Sequence, residues 1–213
     1  MAIDLMLREE WLRMRDRCKA KGLMMASDAS LSLRIPGADA LWFGTMLDVE
    51  PRRLPWKGRS ASSHGLGAHV AVYAVRDDVG AVVIGGGTFG RRLADFGGAM
   101  PGVFDEQVRH LGLMGNAVED YRALAASLRG GGNTFFLGGE PVCLGTTPSR
   151  LVLNAELFEK CAKAYVLAVA TGGRVKPLPW IVRTVANRRL IKDERRAKAR
   201  FDEGLLPEEV RGY

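Results

Sequence analysis

The stretch Ser62-Ser63-His64-Gly65-Leu66-Gly67-Ala68-His69-Val70-Ala71-Val72-Tyr73 decides the fold, together with Arg76-Asp77-Asp78-Val79 and Ala81-Val82-Val83-Ile84-Gly85-Gly86-Gly87 after it. A polar serine pair leads into an uncharged helix over Gly67–Val75. Arg76-Asp77-Asp78 ends that helix in a turn. Gly80–Ile84 is short, β-branched and apolar, which marks a buried strand. The strand runs into a glycine loop, Gly85–Gly90, where chemistry is expected.

Working outward, apolar Leu5, Leu7, Trp11, Leu12, Met14 and Cys18 recur near the helical period and predict an amphipathic helix over Leu5–Gly22. Ser30–Arg34 alternates like a strand, with Leu31 and Leu33 on one face, and Leu41-Trp42-Phe43 is a second strand candidate. Pro51–Ser63, rich in Pro, Gly, Ser and basic residues, reads as a loop. Downstream, Phe104–Met114 surrounds a short helix or strand. Val118–Leu128 reads as an amphipathic helix, and Thr134–Leu137 as a strand whose hairpin continues through Pro141–Leu144. Thr147-Pro148-Ser149 opens the longest helix, which Gly172-Gly173 closes. Pro177 and Pro179 then set off a helical arm over Ile181–Asp202. Interleaved helices and short strands predict an α/β fold, a three-layer α/β/α sandwich with a mostly antiparallel central sheet. The expected division is a main domain over residues 1–175 and a basic C-terminal arm over 176–213, packed on the same domain or on a neighbouring subunit.

A length of 213 residues and an apolar fraction of 47% suffice for a full core. No run of 18 apolar residues occurs, so neither a membrane span nor a membrane partner is expected. The N-terminus carries acids early and does not read as a signal peptide. Cys18, Cys143 and Cys161 form no C-x-x-C pair, which supports neither a disulfide framework nor a zinc knuckle. These features predict a cytoplasmic protein. The net charge of +7 lies mostly at the C-terminal end, where residues 174–213 hold eleven Lys/Arg and six Asp/Glu. Signs mix at helical spacing in Lys192-Asp193-Glu194-Arg195-Arg196-Ala197-Lys198, the pattern of a solvated helix with internal ion pairs. Nucleic acid is therefore not the expected partner, and a small anionic molecule is the better use of the charge.

The segment His69–Tyr73 with Arg76–Val79, and the later run Met100-Pro101-Gly102-Val103-Phe104-Asp105-Glu106, resemble the class II aldolase/adducin family. The order of elements over about residues 5–175 is similar to that fold. The resemblance implies a lyase-like ancestry, a homotetramer and a cleft built by two subunits. It also implies a divalent metal held by a His-x-His pair and a third histidine, with a catalytic acid nearby. Those positions fall on Ile84, Gly86, the Gly138-Gly139 turn and Gly65, and none of these side chains binds metal. No cofactor and no metal is therefore expected.

Several residues remain as candidates. His64, one place before the missing acid, and Asp105, Glu106 and Glu140 are the candidate catalytic groups. Glu140, beside a glycine turn, suits a general base if burial raises its pKa, and it equally suits a solvated turn. Gly85, Gly86 and Gly87 leave backbone N–H groups open to an anion, and Arg91 adds charge beside them. The same loop suits a plain tight turn. Replacing Gly86 with Val is expected to block anion approach while keeping the fold. Ser62 and Ser63 lead into the site. Asp28, Ser30, Ser32 and Arg34 match the region that contacts substrate phosphate in the family, and Arg34 is the ligand-binding candidate among them. His69 reads as a core or interface histidine, and Cys143 as a buried inert thiol. The leading expectation is a protein that binds a small anionic or carbonyl ligand without metal-dependent aldol cleavage. The alternative is a metal-independent lyase, aldolase- or decarboxylase-like, acting on a small hydroxy-carbonyl or carboxylate substrate.

Overall fold

The computed structural model describes residues 2–128 and 130–209. Helix α1 (Ala2–Ala20) buries Leu7, Trp11, Met14 and Cys18, spaced by four, three and four residues along one face. Leu5, counted with this face from sequence, is exposed instead. Trp11 anchors the helix by donating its indole N–H to Leu31 O at 2.9 Å.

Six strands follow: β1 (Ser30–Arg34), β2 (Ala40–Thr45), β3 (Arg52–Pro55), β4 (Ala81–Ile84), β5 (Thr134–Leu137) and β6 (Glu140–Gly145). They form one sheet in the order β3-β2-β1-β4-β6-β5, and every pairing is antiparallel. Side chains alternate across it. Leu31, Leu33, Ala81, Val83 and Cys143 face the layer of α1 and α6 (Pro148–Ala170). Val82, Ile84, Val142 and Leu144 face the layer of α2 (Gly65–Val75). The three-layer α/β/α sandwich is therefore present.

Local chemistry sets the boundaries. Thr147 Oγ1 accepts from Arg150 N at 3.2 Å and Pro148 begins α6, so the longest helix starts where its capping residues predict. Gly138 and Gly139 both have positive φ (56° and 83°), which makes the two-residue β5–β6 turn a primed type that only such residues adopt readily. Helix α7 (Trp180–Asp202) buries Ala186, Leu190, Glu194, Ala197 and Phe201. It is tied down at Arg76, whose guanidinium meets Asp78 at 2.7 Å, Glu194 at 2.9 Å and Gly132 O at 2.8 Å. Residues 210–213 of the expected C-terminal arm lie outside the described residues.

Three expectations are corrected. Part of the Pro51–Ser63 stretch is strand: β3 is an edge with Arg52, Arg53 and Pro55 exposed, the residue types that blunt an edge, so it lacks the usual strand signature. Val118–Leu128 is not one helix. Val118 pairs with the sheet, its N–H donating to Phe136 O at 2.9 Å, and Asp120 caps a 3-10 turn at Tyr121–Ala123. Only the single turn α5 (Leu124–Ser127) is α-helical. The glycine loop is shorter than expected, because α3 (Thr88–Arg92) begins inside it.

Candidate functional site

The end of β4, the β5–β6 turn and the start of α2 surround one end of the sheet. Gly85 N donates to Pro141 O at 3.1 Å, and Gly86 O accepts from Met25 N at 2.8 Å. Gly86 has φ of 51°, and a Cβ there would overlap Pro141 Cγ. The close packing of the two strand ends thus requires glycine. The exposed His64 has its ring directly against Gly138, where a Cβ would meet Cε1. Glu140 Oε1 lies 3.4 Å from Arg91 Nη2, while Oε2 is buried with no hydrogen-bond partner. Arg91 also lines a cleft of about 400 Å³ with Met25, Thr88, Arg92 and Asp95.

The structure brings together Gly85, Gly86, Arg91 and Glu140, and sets His64 against the same hairpin turn. Ser62 and Ser63 hold the loop before α2. Ser62 Oγ donates to His64 O at 2.8 Å, and Ser63 Oγ donates to Glu119 O at 2.8 Å while accepting from Tyr121 N at 3.2 Å.

Other candidates lie apart. β1 pairs Ser30 with Ile84 and Leu33 with Ala81, so Arg34 falls at the opposite end of the sheet from Gly85. There its guanidinium donates to Asp77 O at 2.9 Å and sits 5.5 Å and 4.7 Å from the Trp56 and Phe201 ring centres. Asp105 and Glu106 begin the short helix α4 (Asp105–His110). Glu106 is 3.6 Å from Lys160 and lines a different cleft, of about 470 Å³, with Lys21, Glu156 and Glu159 in the α1/α6 layer.

Sequence reasoning missed the most consequential contact. The carboxylate of Glu159, from α6, accepts from Phe89 N at 2.7 Å and Gly90 N at 2.8 Å. The start of α3 thus already holds an anion from this chain, and a Cβ at Gly87 or Gly90 would collide with it. A free anion at these two amides must displace Glu159. No local pattern marks a partner 70 residues away in sequence.

Beneath the site, His69 is fully buried. Its Nε2 lies 2.9 Å from Ser30 Oγ and its Nδ1 lies 2.7 Å from Ser32 Oγ, which is itself 2.9 Å from Tyr73 OH. Ser30 and Ser32, matched to a phosphate-contacting region from sequence, are instead spent on this ring and buried. Burial lowers the His69 pKa to about 3, so the ring is neutral. Burial raises the thiol pKa of Cys143, and raises those of Cys18 and Cys161 to about 12. Thiolate chemistry is correspondingly unfavourable at all three.

The residues present do not fit the metal centre that the resemblance implies. Ile84, Gly86, Gly65 and the Gly138-Gly139 turn offer no side-chain donor. Among the described residues, no group of three His, Cys, Asp or Glu side chains is placed to hold a metal ion.

This architecture is the class II aldolase fold. The chain superposes on L-fuculose 1-phosphate aldolase from Glaciozyma antarctica PI12 with a TM-score of 0.70 at 15% identity, covering 92% of this chain and 88% of that one. YgbL from Escherichia coli, a candidate aldolase/epimerase/decarboxylase, matches with a TM-score of 0.69 at 18% identity, over 85% of this chain and 97% of that one. An aldolase II superfamily protein from Pseudomonas syringae matches with a TM-score of 0.70 at 12% identity, over 98% and 97% of the two chains. At these identities the likeness concerns the fold alone. No protein-family model matches the chain, and no curated protein matches it by sequence. No helix among the described residues is long and apolar enough to cross a membrane.

Proposed function

We propose that this protein binds a small anionic or carbonyl ligand at the sheet end bounded by Gly86, Arg91 and Glu140, without metal-dependent aldol cleavage. The observation that carries this reading is the Arg91–Glu140 pair. Arg91 supplies a partly exposed cation, and Glu140 holds one buried carboxylate oxygen without a donor. A ligand with an anionic group and a hydroxyl suits the pair, the first at Arg91 and the second at the Glu140 carboxylate once a rotation of that side chain opens its buried oxygen. The side chains at Ile84, Gly86 and Gly65 support the loss of the metal-assisted step, because they offer no donor to an ion. The protein is further proposed to be cytoplasmic and to self-associate, with the cleft completed by a second subunit.

The unpartnered oxygen of Glu140 also favours a second reading, a metal-independent lyase. Glu140 takes the proton of a substrate hydroxyl, the adjacent carbon–carbon bond breaks, and its electron pair passes to a neighbouring carbonyl. The negative charge developing there is stabilised by Arg91.

Calorimetric titration with glycolate and with glycolaldehyde phosphate tests the proposal, using wild-type protein, Arg91→Ala and Glu140→Gln. Arg91→Ala should weaken binding about tenfold, the worth of one charge-assisted hydrogen bond. Glu140→Gln should weaken ligands bearing a hydroxyl. Absence of binding to wild type, or affinities unchanged in both variants, would overturn the reading.

A further inference from the structure

The outward stripe of α7 has a chemistry that the site does not use. The helix turns its back to the body through Ala186, Leu190, Glu194, Ala197 and Phe201. At 100° per residue, the opposite side carries Ile181, Val185, Arg188, Lys192 and Arg195, all exposed. Trp180 is 68% exposed, Ile181 57% and Val185 47%, so two turns of the helix present large apolar groups to solvent. Cations follow along the same stripe, and Arg174 and Lys176 precede it. Residues 171–192 hold six Lys/Arg and no Asp or Glu. Among the described residues, Arg174, Lys176, Arg188, Lys192 and Arg195 have no carboxylate partner, whereas most other charged side chains of the C-terminal region are paired.

We infer that this stripe is a docking surface for an anionic lipid bilayer, with Ile181 and Val185 entering the headgroup boundary, the exposed Trp180 flanking them at the helix start, and the unpaired cations meeting lipid phosphates. Amphipathic helices that lie on membranes combine exposed Trp and aliphatic groups with Lys and Arg in this way. The helix is preformed and held from behind, because Arg76 bonds Glu194 at 2.9 Å and Arg109 bonds Asp193 at 2.7 Å. Docking therefore requires no folding step. Two other occupants fit the stripe less well. A second copy packed through this stripe would bury Arg188, Lys192 and Arg195 in the contact with no acid on the stripe to pair them. Nucleic acid would satisfy the cations but leave Ile181 and Val185 without an apolar partner. A membrane surface as partner differs from the sequence expectation of none, because the absence of a long apolar run excludes a spanning helix and leaves a surface stripe open.

Vesicle co-sedimentation tests it. Full-length protein should pellet with vesicles of equal parts phosphatidylcholine and phosphatidylglycerol, and stay in solution with phosphatidylcholine alone. Raising the salt toward 1 M should release it, since the screening length falls to roughly 3 Å. Ile181→Ser/Val185→Ser and Arg188→Glu/Lys192→Glu should each reduce the bound fraction at least about tenfold. Circular dichroism and light scattering on both variants should match wild type. Failure to pellet with the anionic vesicles overturns the inference. So does full retention by the serine variant, which would mean adsorption by charge alone. A lower mass for the serine variant in light scattering would assign the face to contact between copies. Tighter binding to a DNA oligonucleotide than to the vesicles, lost in the charge variant, would assign it to nucleic acid.

Discussion

Replacing Glu159 with Ala removes the carboxylate that closes the start of α3. Two amides, Phe89 N and Gly90 N, lose acceptors at 2.7 and 2.8 Å. A hydrogen bond to a charged group contributes about 1.5–3 kcal/mol, and an amide left without an acceptor carries a further penalty unless water reaches it. Glu159 is half-buried and lines an open cleft, so water recovers part of the loss. The net cost should be about 2–4 kcal/mol. For a chain of this size that lowers the melting midpoint by roughly 4–16 °C. The vacated amides should then accept a small external anion. Formate, added to the Ala variant, should restore part of the lost midpoint and should not shift wild type comparably. Differential scanning calorimetry with and without formate reads both effects. A variant as stable as wild type, or one that formate does not rescue, would refute the claim that Glu159 is the anion held by this loop.

Gly86→Val, expected from sequence to spare the fold, should instead cost about 3 kcal/mol or more in chemical denaturation, since φ is 51° and a Cβ overlaps Pro141. An unchanged denaturation midpoint would show that the strand ends can part freely. Arg76→Met should cost about 3–5 kcal/mol by leaving Asp78 and Glu194 buried without their cation, and Glu194→Gln should cost clearly less. Equal losses in the two variants would contradict this ranking. Stability should also fall with acidification. Burial lowers the pKa of His69 to about 3, and burial with the nearby Arg150 and Arg109 lowers that of His110 to about 4. Below about pH 6.5 the unfolded chain therefore binds more protons, and the contribution of these rings is lost as pH falls. Glu194 acts in the opposite sense. Burial raises its pKa to about 7, so its contribution is present below its ordinary value and is lost as pH rises through about 7. With two histidines against one carboxyl, the denaturation midpoint should drop between pH 6.5 and 4, and His69→Gln should flatten that slope. A midpoint independent of pH in wild type would contradict the neutral buried rings.

The fold was legible because its strongest local signals agree with its packing. The uncharged Gly67–Val75 helix, the β-branched Gly80–Ile84 strand and the Thr147-Pro148 helix start each state their environment in a few residues. The β3 strand was not legible, because an edge strand carries charge and Pro where a central one carries Val and Ile. The Val118–Leu128 stretch misled for another reason. Its helical spacing is real, but the Val118 amide is claimed by Phe136 O across the sheet, a tertiary contact that overrides periodicity. Within the site, Arg91 and Glu140 were named from sequence as charged neighbours of glycine turns, and the paired strand ends bring them together. The separation of Arg34 from the glycine loop is not legible, because strand direction is invisible in sequence and Arg34 lies at the far end of β1. Glu159 could not have been found, since its role depends on where α6 passes the loop.

The chain has a class II aldolase fold, and the proposal that its site binds a ligand without a metal is tested most directly by metal content. Protein purified without a histidine tag, from cells grown with added zinc and manganese, should contain far less than one equivalent per chain by elemental analysis. About one equivalent of zinc, manganese or iron per chain, retained through gel filtration, would contradict the account and return the site to metal-assisted chemistry.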